Sequence, residues 1–153
     1  GEVSFPGGGV EEGETPQQAA VREAVEELNI QPEQIDILGE IDYLVFERST
    51  IHCFVGRLNL DWMTIVPNEE VARIFTVPLS TLLTIQPVYY QLDSKVVPEC
   101  DFPFERLRGG ISYPFSYQKR SIPFYEQLPE NIWGMTAQFT HRFTEIINQQ
   151  TSP

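Results

Sequence analysis

Residues 8–30 read GGVEEGETPQQAAVREAVEELNI, and they carry the strongest local structural signals of the chain. A helix start signal lies in its middle. Thr15 can cap the helix, Pro16 suits the first helical position, and Gln18 completes a Thr-x-x-Gln capping box. The pattern therefore predicts a helix that begins at Pro16 and runs to about Leu28.

The end of this helix and its apolar face are also predicted locally. Asn29 can adopt the left-handed conformation that ends a helix, and Pro32 blocks its continuation. On a helical wheel the apolar residues fall within an arc of about 140°. We expect this face to be buried, and its members are Ala20, Val21, Ala24, Val25 and Leu28.

The opposite face of the helix is charged. Glu23, Glu26 and Glu27 lie within about 100° of one another, beside Arg22. Three carboxylates at this spacing repel each other unless a cation lies between them. Such repulsion costs only a few tenths of a kcal/mol per pair, so a solvated acidic face is the alternative interpretation.

The whole stretch resembles the Nudix box, G-x5-E-x7-R-E-U-x-E-E-x-G-U, in which U is a bulky aliphatic residue. Two positions depart from the pattern: Ala24 is small, and Asn29 replaces a glycine. Asparagine is the second choice for a left-handed helix end, so that departure is mild. The matching residues are Gly8, Glu14, Arg22, Glu23, Glu26, Glu27 and Ile30.

This resemblance implies a hydrolase that cleaves a diphosphate bond with the help of Mg²⁺ or Mn²⁺. Glu26 and Glu27 are then expected to be the principal metal ligands. Glu23 is expected to be a further ligand or to orient water, and the carbonyl of Gly8 adds an oxygen. Carboxylate and carbonyl oxygens are the ligands that these ions prefer.

The resemblance also assigns supporting roles. Arg22 is expected to pair with the acids of the box and hold them in position, with Glu14 as its supporting partner. A general base commonly comes from a glutamate in a later loop. Glu69 and Glu70 are the candidates, and ordinary loop acids are the equally weighted alternative.

Residues 1–8, GEVSFPGG, resemble the second half of the coenzyme A diphosphatase signature, G-x3-F-P-G-G. Residues 77–79 and 132–137 also resemble this subfamily, more loosely. The implied reaction converts coenzyme A or acyl-CoA to 3′,5′-ADP and (acyl-)4′-phosphopantetheine. Other Nudix substrates such as ADP-ribose or dinucleoside polyphosphates, a non-catalytic binding module and a metal-free acidic surface are the alternatives, in that order.

Substrate-binding side chains are less well marked. Lys119 and Arg120 are adjacent cations that are candidates for a 3′-phosphate, or else a surface pair without a role. Adenine recognition needs an aromatic platform, although core packing is the more common role. The aromatic candidates are Tyr89, Tyr90, Tyr113, Phe115, Tyr117 and Phe124.

The remaining pattern predicts an α+β class, and the resemblance implies a Nudix fold with a mixed β-sheet sandwiched between helices. We expect strands over residues 1–5 and 71–77 and a hairpin over residues 35–60, broken at Glu47-Arg48-Ser49-Thr50. Short strands and loops should follow between Pro87 and Tyr125. The expected helices are a short one begun by Pro78 and a C-terminal one with apolar residues at helical spacing from Ile132.

We expect one domain over residues 1–153 that lacks its N-terminal strands. A natural protein would hardly begin at Gly1, so we also expect an upstream segment. Dimers are frequent among proteins that this chain resembles, so the resemblance allows a homodimer.

The formal charge of −12 argues against nucleic acid or an anionic membrane as a partner, and an acidic protein needs cations to bind phosphates. No apolar span or leader is evident, so the expected compartment is the cytoplasm. Cys53 and Cys100 are expected to be reduced structural residues, and structural roles are also favoured for His52 and His141.

Overall fold

The computed structural model of the chain describes residues 1–45, 49–93, 101–115 and 119–151. Helices and antiparallel strands are mixed along the chain, which confirms the α+β class. The predictions made for Glu47, Arg48, Cys100 and Tyr117 lie outside the described residues. The main elements are α1 (Pro16–Leu28), β1 (Ile35–Val45), β2 (Thr50–Leu58), α2 (Leu79–Leu82), β3 (Val88–Leu92), β4 (Arg120–Phe124) and α3 (Gly134–Thr151).

Helix α1 begins and ends where its sequence predicts. The backbone N–H of Gln18 donates to Thr15 Oγ1 at 3.2 Å, and the N–H of Thr15 donates to Gln18 Oε1 at 2.8 Å, so the capping box is complete. Asn29 ends the helix in the left-handed conformation, with φ 53° and ψ 49°. These local bonds hold the helix that carries the acidic face.

The described strands form two antiparallel pairs. β1 and β2 make the predicted hairpin, which pairs Ile35 with Leu58 at one end and Val45 with Thr50 at the other and shifts register after Ile37 and after Glu40. β3 and β4 make the second pair, as expected for the region after Pro87. Helix α1 packs on β2, whereas α3 packs on β4 and β1. No helix among the described residues is both long and apolar enough to cross a membrane.

The core lies where α3 meets β4. Tyr125, Ile132 and Ala137 are buried together. Helix α3 also bonds to the start of the chain, because Thr136 Oγ1 donates to the carbonyl of Val3 at 2.9 Å. Segments from both halves of the chain therefore converge on one cluster. The partly buried side chains packed against it are Val3, Phe75, Val77, Ile85 and Leu128.

Two predicted strands are wrong. Residues 1–5 and 71–77 run without strand pairing in the structure. Val3, Phe75 and Val77 nevertheless pack against the core. A strand also needs a neighbouring backbone to complete its ladder, however, and these segments are held by side-chain packing instead.

The apolar face of α1 is only half-buried, which corrects the expectation that it is fully covered. Ala19 is the one buried residue of this helix. Among the described elements, helix α1 packs mainly on β2 and on the short turn at Pro32–Gln34. Neither element covers Val21 and Val25 fully, and the helix borders an open groove there. The groove is lined by Gln17, Gln18, Val21, Arg22, Val25 and Pro32.

Candidate active site

Arg22 lies at the centre of the acidic face of α1 and binds four partners. Its Nε donates to Glu14 Oε1 and its Nη1 to Glu23 Oε1, both at 2.9 Å. Its Nη2 donates to the carbonyl of Gly9, also at 2.9 Å. A longer contact of 3.4 Å reaches Glu26. One guanidinium thus joins the helix to the loop that precedes it, in the holding role implied by the box.

Glu14 is fixed by this arrangement. Hydrogen bonds from Arg22 and then from the backbone of Glu11 lower the pKa of the Glu14 carboxyl. Hydrogen bonds to Glu14 and then Glu23 raise the pKa of Arg22. The two groups remain oppositely charged over the neutral range, and the Glu14 side chain is only 14% exposed. Glu14 is therefore a part-buried anion that holds the Arg22 guanidinium.

The glycine loop, residues 7–9, lies directly against the helix. A Cβ atom placed on Gly8 would come within 2.8 Å of Glu23 Oε2 and closer still to the rest of that carboxyl group. An added Cβ on Gly9 would meet nothing within 4 Å. Close approach of the Glu23 carboxylate therefore explains why glycine stands at position 8.

Glu27 joins two separate loops to the end of α1. Its Oε1 accepts a hydrogen bond from the backbone N–H of Gly7 at 2.9 Å. Its backbone carbonyl accepts one from the N–H of Asn68 at 3.0 Å. The glycine loop and the loop that contains Glu69 and Glu70 are thus held at the same residue.

The two candidate bases lie in a turn that starts at Asn68. The N–H of Glu70 donates to Asn68 Oδ1 at 3.0 Å, and the N–H of Val71 donates to the Asn68 carbonyl at 3.3 Å. Glu69 and Glu70 are both exposed. Their turn is therefore ordered beside Glu27, while their carboxylates remain open to water.

The side chains around the glycine loop match a hard divalent cation in their chemistry, because every donor is a carboxylate or carbonyl oxygen. Among the described residues, no three His, Cys, Asp or Glu side chains converge on one point. Glu23 and Glu26 both contact the Arg22 guanidinium, at 2.9 and 3.4 Å. Among the described residues, Arg22 is the partner of Glu26, at 3.4 Å, and the Glu26 side chain is 55% exposed.

The other candidates lie elsewhere. Lys119 and Arg120 stand exposed at the start of β4, and no hydrogen bond or ion pair in the described part of the chain joins them to the box. His52 pairs with Glu40 through Nδ1 at 2.5 Å on the hairpin. His141 lies on α3, with its Nε2 3.7 Å from Glu145.

The aromatic candidates pack mostly on one another. Tyr90 lies edge-on to Phe124, with ring centroids 5.7 Å apart, and Tyr113 lies edge-on to Phe115 at 5.0 Å. Tyr89 makes an edge contact with His141 at 6.3 Å. These contacts give the described rings aromatic neighbours, but Tyr89, Tyr90 and Tyr113 are exposed and lie outside the buried core.

Sequence reasoning missed three residues that complete the site. The backbone N–H of Gly7, the carbonyl of Gly9 and the backbone N–H of Asn68 each bind a residue of the helix. The glycine run signals a break in the chain, and Asn68 follows a proline, which favours a turn. Neither signal identifies the helix as the partner.

Several known proteins are similar in sequence to this chain over most of its length. The domain profile described as NUDIX domain matches residues 1–100. Nudix hydrolase 3 of Caenorhabditis elegans is 24% identical over 157 residues, which cover 97% of this chain and 61% of that protein. A Cronobacter sakazakii protein named Uncharacterized Nudix hydrolase NudL is 35% identical over 148 residues, covering 90% of this chain and 62% of that protein.

A third relative carries a more specific name. Peroxisomal coenzyme A diphosphatase NUDT7 of Mus musculus is 37% identical over 93 residues, which cover 60% of this chain and 39% of that protein. The chain spans less than two thirds of the length of each of these three relatives. The profile covers well over half of the 153 residues, including the helix and loops described above. The chain therefore belongs to the Nudix family.

Proposed function

We propose that this chain carries the active site of a divalent-metal-dependent hydrolase that cleaves the diphosphate bond of a nucleotide derivative. Coenzyme A or an acyl-CoA is the proposed substrate, with 3′,5′-ADP and (acyl-)4′-phosphopantetheine as products. One observation carries the proposal: Glu23 and Glu27 lie against the glycine loop, while Arg22 holds Glu14, Glu23 and that loop together.

Glu26 and Glu27 are the proposed principal ligands of Mg²⁺ or Mn²⁺, and Glu23 with the Gly8 carbonyl completes the oxygen set. When bound, the divalent ion supplies positive charge that offsets the diphosphate and promotes ionisation of a water molecule. Arg22 keeps the carboxylates in place during the reaction. This need for cations follows from the acidity of the whole chain.

The chain's own residues supply the remaining steps. Glu69 or Glu70 is the proposed general base that accepts the proton of the attacking water, since their turn is tied to Glu27 and both side chains are exposed. Asn68 holds that turn through its side chain and backbone. The attack breaks one P–O bond of the diphosphate and leaves a phosphate monoester on each product.

Two observations favour coenzyme A among nucleotide derivatives. Residues 1–8 match the second half of the coenzyme A diphosphatase signature, and one relative is named as such a diphosphatase. Lys119 and Arg120 remain the proposed partners of the 3′-phosphate, because they are adjacent cations in an acidic chain. Another nucleoside diphosphate compound is the second candidate, since the box itself serves many such substrates.

Product analysis of the full-length protein tests this proposal. Coenzyme A, ADP-ribose and diadenosine polyphosphates are each incubated with Mg²⁺, with Mn²⁺ and with EDTA, and the phosphate products are separated. Release of 3′,5′-ADP from coenzyme A only with metal, in preference to the other compounds, is the expected result. Turnover of another compound would reject the coenzyme A assignment, and no turnover of any would favour a binding module.

A further inference from the structure

Arg73 is an oriented cation on the segment that follows the Glu69–Glu70 turn. Its Nη2 donates to Glu130 Oε2, and its Cζ lies over the ring of Phe75, 5.6 Å from the centroid. The Arg73 side chain is nevertheless 62% exposed. The other donors of its guanidinium therefore face a direction that water, or an anion, can reach.

Two chain paths lead from this ion pair back to Glu27. Arg73 follows Val71 by two residues, at most about 7 Å of chain, and the Val71 turn is bonded to the Glu27 carbonyl through Asn68. On the other path, the N–H of Ile132 donates to the Glu130 carbonyl at 2.8 Å.

Ile132 packs in the core together with Val3, and Val3 lies four residues before Gly7. Gly7 in turn donates to the carboxylate of Glu27. Arg73 is thus tethered by a short segment to Glu27, the residue at which the glycine loop and the candidate base loop meet. Glu130 is connected to Glu27 less directly, through Ile132, the core and the glycine loop.

The Arg73–Glu130 pair is better explained by a role in binding the diphosphate than by a role in stabilising the fold. Exposed ion pairs contribute little to stability, so the Arg73–Glu130 contact is a weak explanation for the fold. In a chain with a net charge of −12, a diphosphate needs cations close to where it is cleaved. Arginine binds phosphate oxygens well, because its donors form a planar fork.

We propose that Arg73 is a substrate-binding residue that contacts the scissile diphosphate, and that Glu130 and Phe75 position it. This inference rests on the proposed function. In this proposal the diphosphate lies between the Arg73 guanidinium and the metal-binding glutamates of α1. Glu130 retains one donor of the guanidinium and leaves the others for phosphate oxygens.

Equilibrium binding to full-length protein tests the inference separately from turnover. The probe is α,β-methylene-ADP, a diphosphate whose carbon bridge resists hydrolysis, measured by calorimetry with Mg²⁺ and compared with AMP. Arg73→Gln should weaken binding of the probe by about 10- to 100-fold and change AMP binding much less. Glu130→Gln should weaken the probe by a smaller factor. Arg57→Gln removes an equal charge from the hairpin and is the matched control, expected to bind like wild type.

The outcomes separate the two claims. If the wild type binds the probe but hydrolyses none of the nucleotide substrates, the proposed function is rejected. The comparison of probe affinities between variants then decides the Arg73 inference. Equal probe affinity of Arg73→Gln and Arg57→Gln would overturn the inference, as would equal losses for the probe and AMP. A wild type that turns over coenzyme A but does not bind the probe would overturn the Arg73 inference and leave the proposed function standing. Thermal melts of all variants should coincide within a few degrees, which excludes loss of fold as the cause.

Discussion

Gly8→Ala tests the geometry of the site through a single methyl group. The new Cβ would overlap the carboxyl group of Glu23, with 2.8 Å to Oε2 as its longest distance within that carboxylate. The atoms it meets belong to the end of a flexible side chain, so the Glu23 carboxylate should swing away while the backbone stays. The variant should therefore fold normally and lose a correctly placed carboxylate.

The expected energies can be estimated. Alanine lowers the entropy of the unfolded chain by an amount worth about 0.4–1 kcal/mol, and loss of the Glu23–Arg22 ion pair costs about 0–1 kcal/mol. The free energy of unfolding should then change by less than about 1 kcal/mol. Displacing a metal-site carboxylate should lower kcat/KM by about 100-fold, which corresponds to about 2.7 kcal/mol of transition-state stabilisation.

The assay pairs steady-state hydrolysis of coenzyme A with urea unfolding. Gly9→Ala is the matched control, because its added Cβ meets nothing within 4 Å and its carbonyl still accepts from Arg22. Gly9→Ala should keep both activity and stability. Equal activity of the two variants would refute the reasoning about Glu23, and a large loss of stability in Gly8→Ala would show that the backbone moves instead.

Three further predictions concern single side chains. Glu27→Gln should abolish most turnover while the circular dichroism spectrum stays unchanged, since the amide oxygen can still accept from Gly7. Its control is Glu33→Gln, in the exposed turn after α1, and near-wild-type activity of Glu27→Gln would reject the metal assignment. Asn29→Gly should leave kcat/KM within about twofold, because glycine adopts a φ of 53° freely, and a large loss would give the Asn29 side chain a role beyond ending the helix. Burial raises the pKa of the Cys53 thiol to about 11 from the usual 9.0. Iodoacetamide at pH 7.5 should therefore alkylate Cys53 about a hundredfold more slowly in native than in unfolded protein. Equal alkylation rates, measured by peptide-resolved mass spectrometry, would contradict this.

Helix α1 could be predicted almost residue by residue because its signals are local. Thr15, Pro16 and Gln18 act within one turn, and Asn29 ends the helix through its own backbone conformation. The hairpin and the C-terminal helix also follow from periodicity. In each case the residues that carry the signal are the residues that form the element.

Residues 71–77 show where such reasoning stops. Phe75 and Val77 pack against the core, yet no described strand pairs with this segment, so the predicted strand is absent. Strand pairing depends on a second segment far away in sequence, which periodicity does not identify. Covering of the apolar face of α1 is likewise a tertiary property, and it is incomplete around Val21 and Val25.

The spacing of the box predicts which charged side chains share a face, and the structure brings Arg22 and Glu14 together as expected. The backbone contacts of Gly7, Gly9 and Asn68 could not be predicted, because main-chain groups carry no residue-specific signal. They depend on how the two loops close over the end of α1. The same closure brings the Glu69–Glu70 turn to Glu27.

Manganese binding to the full-length protein, followed by electron paramagnetic resonance, tests the central claim most directly. The free Mn²⁺ signal is titrated with wild type, Glu27→Gln and Glu33→Gln. The metal assignment predicts tight binding by wild type and Glu33→Gln, and binding weakened at least about tenfold in Glu27→Gln. Equal binding by Glu27→Gln and wild type, or no binding by the wild type, would contradict a metal site on α1.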